Sequence, residues 1–238
     1  DSLWTRMDLV EQFSADVAHE IKNPLTSIKS AIETAIKIDD ANQRKTLMKI
    51  VMEDVNRLDR LITDISELSR VDAELSKANF LEVNLSQTLQ SFEQLYNQTV
   101  GDKSSTLLIT LHKPHSFFVM GIEDRLVQVL RNLVENAQSF SPPHGTIRID
   151  VHKIDNKVQI IVEDNGPGIA PESLDRIFQR FYQDRQRKEE FGNHSGLGLN
   201  ICEQIVELHN GKIWAENITK KNNQILGARF IFEFPSIK

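Results

Sequence analysis

The stretch FSADVAHEIKNPLTSIKSAIETA, residues 13 to 35, decides how the first part of the chain is read. Apolar residues recur at Val10, Phe13, Val17, Ile21, Leu25, Ile28 and Ile32, a mean step of about 3.7 residues, the period of one amphipathic helix. His19 lies off that stripe, roughly 200° around the helix from Val17 and Ile21, and is expected to face solvent while they are buried. Glu20 follows it, Asn23 stands one turn on, and Pro24 comes next. Proline has no N–H for the carbonyl of Glu20 and its ring crowds that carbonyl, so a bend is expected just past the histidine. A lone histidine on a helix usually has no task, but an imidazole with a carboxylate, an amide and a proline around it argues for one.

The run His19-Glu20-Ile21-Lys22-Asn23-Pro24-Leu25 resembles the H box of sensor histidine kinases, H-E-x-x-N/T-P-L. The resemblance implies that His19 is the phosphoacceptor of a two-helix dimerisation domain.

Composition bounds the alternatives. The chain has 238 residues, 39% hydrophobic and 26% charged, enough for two modest domains. A formal net charge of −6 argues against nucleic acid as a partner, since binders of a phosphate backbone carry a basic face. One cysteine, Cys202, excludes an intrachain disulfide and fits a reducing compartment. No apolar run reaches the ~18 residues of a membrane helix. The chain as given therefore reads as soluble and cytoplasmic, the intracellular part of something longer. Any membrane contact is expected through segments outside it, and the family places the full-length protein at the cytoplasmic face of the inner membrane.

Residues 38 to 45 contain the polar, charged break where a turn is expected. Leu47, Val51, Val55, Leu58, Ile62, Ile65 and Leu68 then repeat at ~3.5 residues. The two helices read as a hairpin whose stripes are too long to bury within one hairpin, and each aliphatic left in water forgoes roughly 1.5 to 3 kcal/mol. A homodimer forming a four-helix bundle is the economical solution; the alternative is a hairpin packed on its own second domain.

Residues 70 to 82 lose periodicity and read as a linker, so the expected domains are 1–76 and 77–238. Beyond the linker, helices are expected at 86–100, 123–140 and 196–209. Strands are expected at 106–112, 117–120, 146–154, 157–164, in KIWAENI and in ARFIFEF. This is an α/β sandwich with one sheet covered on one face.

On 123–140, Gln128, Asn132 and Asn136 form an amide stripe at i, i+4 spacing, beside the apolar Leu126, Val129, Leu130, Leu133, Ala137 and Phe140. Amides offer oxygen to a hard cation without adding charge that repels a triphosphate. Asp164-Asn165-Gly166-Pro167-Gly168-Ile169 ends a strand in a glycine turn, RIFQRFYQ follows at 176–183, and Gly196-Leu197-Gly198-Leu199 opens the last helix. N–H groups at a helix start suit phosphate. Taken singly each motif is weak evidence.

In order and spacing they resemble the N box, first glycine box, F box and second glycine box of the histidine kinase ATP-binding domain, a Bergerat fold shared with the GHKL ATPases. With the H box, the resemblance runs from about residue 9 to 234. It implies that Asp164 reads the adenine amine, Phe140 stacks near the base and Asn132 ligates Mg²⁺, with Asn136 facing phosphate or purine. Gly166 and Gly168 would shape the hinge of an ATP lid spanning about 170–195, mobile when empty, and Ile169 would line the ATP site. Phe178 and Phe181 would anchor the lid, Arg180 and Tyr182 would belong to the pocket, and Gly196, Leu197 and Gly198 would lie near the phosphates.

Two departures stand out. Ser139 and Gln183 occupy positions where the family often has Lys and Arg, leaving Arg131, Arg180, Arg185, Arg187 or Lys188 to supply the positive charge that phosphoryl transfer needs.

The resemblance as a whole implies a two-component histidine kinase, a transferase and phosphoprotein. It would autophosphorylate His19 from ATP with Mg²⁺, and Glu20 would orient the imidazole proton. It would then pass the phosphoryl group to the receiver domain of a response regulator, and dephosphorylate that regulator with the help of Asn23. The alternatives are a GHKL-type ATPase with a structural helical stalk, and a non-enzymatic dimeric nucleotide-sensing module.

Overall fold

The computed structural model describes residues 2–74, 79–99, 105–112, 117–182, 195–221 and 224–237. Helices α1 (Ser2–Lys37) and α2 (Ala41–Glu74) form the expected hairpin. The break falls at residues 38–40, inside the expected stretch, and Asp40 ends it: its Oδ1 accepts hydrogen bonds from the N–H of Asn42 at 2.7 Å and of Gln43 at 3.2 Å. That N-cap satisfies otherwise orphaned donors and turns the polar run 41–45 into the first turn of α2. Arg44 Nη2 donates to the carbonyl of Ile38, 2.6 Å away, and closes the corner.

α1 runs on through Pro24, which is buried. Ala31, Ala35, Leu61 and Leu68 fill the seam of the hairpin. One copy leaves part of the two stripes in water: Leu25 is 50% exposed, Ile32 41%, Val55 43% and Ile62 58%.

The linker expected at 70–82 is overturned at both ends. α2 continues to Glu74, carrying Val71 into a core it shares with Val83 and Leu85. Leu81–Asn84 is a strand, β1, paired antiparallel with β3 (Phe118–Gly121). This small sheet was hidden because a four-residue strand inside a polar stretch has too few positions to show a period.

The remaining elements follow the expected order. They are α3 (Leu85–Thr99), β2 (Thr106–Leu111), α4 (Glu123–Phe140), β4 (Thr146–Ile154), β5 (Lys157–Glu163), α5 (Gly198–Leu208), β6 (Lys212–Thr219) and β7 (Ile225–Pro235). The five-stranded sheet has the order β2-β4-β5-β7-β6, with β2 and β4 parallel and the other pairs antiparallel.

Period-two alternation sends Ile147, Ile149 and Val151 of β4, Val158, Ile160 and Val162 of β5, and Phe230, Phe232 and Phe234 of β7 to the inner face. There they meet Leu126, Val129, Leu130 and Leu133 of α4 and Ile201 and Ile205 of α5. The other face carries Ile161, Ile231 and Trp214 in register, and beside them the pairing aligns Arg148, Glu163, Arg229 and Glu216 across four strands with alternating sign. Opposite charges on facing strands add to pairing, and Arg229 Nη2 lies 2.6 Å from Glu216 Oε2.

Candidate nucleotide site and phosphoacceptor helix

The inner face brings α4 against the start of α5. Asn132 Nδ2 donates to the carbonyl of Gly198 at 3.2 Å, which joins the amide stripe to the second glycine pair. With its nitrogen so engaged, Asn132 presents its carbonyl oxygen, a donor that suits Mg²⁺. Asn136 is half-buried one turn further on. Phe140 closes α4, and a Cβ at Gly166 would lie 2.7 Å from its carbonyl oxygen, so only glycine admits this approach of helix end and turn. Gln128 is drawn out of the stripe: it accepts from Arg125 Nη1 at 2.6 Å and donates to Glu67 Oε2 at 3.3 Å.

Asp164 is 3% exposed at the end of β5. Its Oδ1 accepts from the N–H of Gly166 at 2.8 Å and of Ala228 at 3.1 Å. Burial pushes its carboxyl above the ordinary range, while these two amides pull it back. A buried carboxylate fixed through one oxygen keeps the other as an acceptor, the chemistry that a purine amine requires.

The turn beyond Asp164 is held by a residue that sequence reasoning did not single out. Asn217 of β6 accepts from the N–H of Ile169 and donates to its carbonyl, both at 2.7 Å. Gly168 has φ +77, and a Cβ there would lie 2.7 Å from Asn217 Oδ1. One asparagine in a strand leaves no signal in sequence.

Of the expected lid, residues 183–194 lie outside the described residues, and Gln183, Arg185, Arg187 and Lys188 with them. The described part opens with a 3-10 turn, Pro171–Ser173. Phe178 is buried edge-on against Phe230 at 6.4 Å, and its carbonyl accepts from Asn200 Nδ2 at 2.9 Å. Tyr182 is turned into the segment itself: its hydroxyl donates to Ser173 Oγ at 2.7 Å, and Arg176 lies 5.1 Å over its ring.

Phe181 adopts φ 58, and Gly196 (φ +75) lies so close that a Cβ there would be 2.8 Å from the Phe181 carbonyl carbon. A left-handed phenylalanine costs on the order of 1–2 kcal/mol, so its surroundings must impose it. The Phe181 ring stacks on Phe13 of α1 at 6.0 Å, and Arg180 sits 5.2 Å over the same Phe13 ring. Arg180, expected in the pocket, is placed on α1.

Leu197 is fully buried, and its N–H donates to Ser195 Oγ at 3.1 Å; Ser195 in turn donates to Asp64 of α2. Burial pushes the Asp64 carboxyl up despite that bond. Ser139, at the family's lysine position, donates to the carbonyl of Glu135 in its own helix at 2.9 Å.

On α1, His19 is exposed as expected, and Asn23 Nδ2 stands 3.4 Å from His19 Nδ1. Glu20 points elsewhere. Its Oε2 lies 3.0 Å from Arg57 Nη2 of α2, with the two side chains 17% and 15% exposed. Successive helical residues diverge by about 100°, so the carboxylate next to the histidine in sequence serves the hairpin seam in space. The lid segment touches the hairpin at Phe13, a stripe position in the sequence, and at Asp64, which no pattern singles out.

Comparison with known proteins agrees with this geometry. Residues 9–74 match the His Kinase A (phospho-acceptor) domain, and residues 121–238 match the histidine kinase-, DNA gyrase B-, and HSP90-like ATPase family. The sensor protein ChvG of Rhizobium meliloti is 45% identical over 99% of this chain, which spans 42% of that protein. Histidine kinase ThkA, solved in complex with the response regulator protein TrrA, is 31% identical with a TM-score of 0.73, covering 97% of this chain and 63% of that one. The nucleotide-free catalytic domain of ThkA is 31% identical with a TM-score of 0.56, covering 66% of this chain and 98% of its own. With an exposed H-box histidine on a hairpin and the glycine boxes gathered at one end of a half-covered sheet, the chain belongs to the sensor histidine kinase family.

Proposed function

We propose that this chain is the catalytic portion of an ATP-dependent protein histidine kinase that phosphorylates His19 and passes the phosphoryl group to an aspartate of a response regulator receiver domain. The observation that carries this reading is His19 itself, exposed on α1 with an amide at its Nδ1 and, among the described residues, no hydrogen bond at Nε2. When the Asn23 amide turns its oxygen to the ring, Nδ1 holds the hydrogen and the Nε2 lone pair is free to attack. The N–P bond to the γ-phosphorus then forms, the P–O bond to the ADP leaving group breaks, and the imidazole sheds a proton.

Asp164 selects the adenine, and the Asn132–Gly198 junction faces the phosphates. Asn132 Oδ1 would hold Mg²⁺, which when bound offsets the charge of the triphosphate. Arg131, exposed on α4 one residue before Asn132, and Arg180, once it leaves Phe13, are the described candidates for the missing cations.

The homodimer is supported by the aliphatics left exposed along one hairpin, which a second hairpin covers in a four-helix bundle. A longer protein at the cytoplasmic face of a membrane fits relatives more than twice this length; no described helix is long and apolar enough to cross one.

Incubation with γ-labelled ATP tests the reading. Acid-labile, alkali-stable label on the protein is expected. Turnover of ATP with no protein-bound label would indicate an ATPase with a structural stalk, and neither label nor turnover a binding module.

A further inference from the structure

On the outer face of the sheet, away from the nucleotide motifs, the parallel register of β2 and β4 brings three ligating side chains together. Thr110 pairs with Asp150 and Leu111 with Val151. The N–H of His112 continues the ladder onto the Val151 carbonyl at 3.0 Å, which sets His112 beside His152. The two imidazoles lie 4.2 Å apart and nearly parallel, at 12°. Asp150, two residues before His152 and on the same face, puts Oδ1 3.4 Å from His112 Nε2.

One nitrogen from each ring and one carboxylate oxygen fall within 4.8 Å of one another, and among the described residues this is the one such group. We propose that His112, Asp150 and His152 form a binding site for a zinc-class divalent cation, tying edge strand β2 to β4.

The donor set selects the ion. Two imidazoles and a carboxylate suit Zn²⁺, Ni²⁺ or Cu²⁺, whereas Mg²⁺ takes oxygen ligands, so the Mg²⁺ that accompanies ATP does not compete. Bonds of about 2.0–2.2 Å in a tetrahedral site bring ligand atoms to about 3.4 Å of one another. Closing from the present spacing needs a shift of about 1 Å and a turn of at least one ring out of the parallel stack, because the in-plane lone pairs of cofacial imidazoles do not converge on one point; the position of His112 just past the end of an edge strand permits both. The side chains of His112 and Asp150 are 50% and 28% exposed, leaving an entry path and a fourth position for water or a partner's donor.

The competing account is a surface contact between His112 and Asp150 with His152 stacked behind it. It explains the 3.4 Å distance and the stacking pair by pair, whereas a shared cation engages all three groups at once.

The test uses the whole chain, free of affinity tags and stripped by chelator. Co²⁺ is titrated by visible absorption, and Zn²⁺ by calorimetry under saturating Mg²⁺. One equivalent is expected to bind to wild type and to the control His144→Asn, which alters an exposed turn histidine at φ 59 that asparagine tolerates. His112→Gln and His152→Ala are each expected to weaken binding by at least about tenfold, and Asp150→Asn by less. ATP affinity, measured on every variant as a check of folding, should stay unchanged. Absence of saturable binding to wild type, equal binding by His112→Gln and His152→Ala, or displacement of Zn²⁺ by Mg²⁺ would each overturn the site.

Discussion

Arg125 Nη1 of α4 lies 2.6 Å from Glu67 Oε2 of α2, with the arginine side chain 7% exposed, and Gln128 closes the triangle. This pair joins the phosphoacceptor hairpin to the helix that carries the N box. Its Arg125 bond holds the Glu67 carboxyl below the ordinary value of 4.5. A depressed carboxylate contributes stability that is present above its unfolded value and lost as pH falls through the folded one. Glu67→Ala removes the carboxylate that faces a buried guanidinium and is expected to cost about 1–3 kcal/mol. The measurement is hydrogen exchange: protection should fall in α4 and in the C-terminal half of α2. Unchanged protection in both would show that the joint contributes nothing.

His19→Gln should abolish label incorporation and leave nucleotide binding intact. The side chain is exposed and its contact is to Asn23 of the same helix, so its loss does not reach Asp164 or Asn132. Label retained at another residue would remove His19 as the acceptor.

Asp164→Asn should weaken ATP binding by at least about tenfold, roughly 1.4 kcal/mol, and narrow the preference for adenine over guanine nucleotides. An amide can satisfy the N–H groups of Gly166 and Ala228 or accept from the base, but its NH₂ half must then face one donor or the other. Unaltered adenine selectivity in a competition assay would take Asp164 out of the pocket.

The residues legible in sequence were those whose task is written into local spacing. The stripe from Phe13 to Ile32 marked α1 and put His19 on its exposed side, and alternation in 146–154 and 157–164 marked the paired strands. Contacts between distant elements were not legible. Glu20 pairs with Arg57 across the hairpin, Asn217 pins Ile169 from another strand, and Arg180 lies on Phe13. Each depends on which polar faces meet once the helices dock, and no period records that. β1 went unseen because short polar segments give hydrophobic patterning nothing to repeat.

His209 offers a pH test of the fold. It is buried, its Nδ1 donates to the Ile205 carbonyl at 2.7 Å, and its Nε2 accepts from the N–H of Ile122 at 3.0 Å. Nε2 as acceptor demands the neutral ring, and burial holds the imidazole below its ordinary value of 6.5. The unfolded chain therefore binds the proton more readily. Stability is full above pH 6.5 and declines as pH falls from there through the depressed folded value. Thermal unfolding of wild type should show this decline, and His209→Gln, already less stable, should show a shallower one. Parallel pH profiles would assign the decline to other groups.

Asn23 carries the prediction that separates two activities on one helix surface. Its amide stands 3.4 Å from His19 Nδ1 and is exposed, so Asn23→Ala removes no buried contact and should alter stability by about 1 kcal/mol or less. If the amide serves only the helix, every activity should change alike. If it orients a water for attack on the phosphoaspartate of a docked receiver domain, the variant should still phosphorylate His19 and pass the group on. Regulator dephosphorylation should then slow by about 10²-fold, as for a lost positioning group. The measurement is the decay of purified phospho-regulator with wild-type or variant protein in the presence of ADP, with autophosphorylation followed in parallel. Equal decay rates would refute the phosphatase role. A matching loss of kinase activity would assign the amide to the imidazole instead, as the group that orients the ring.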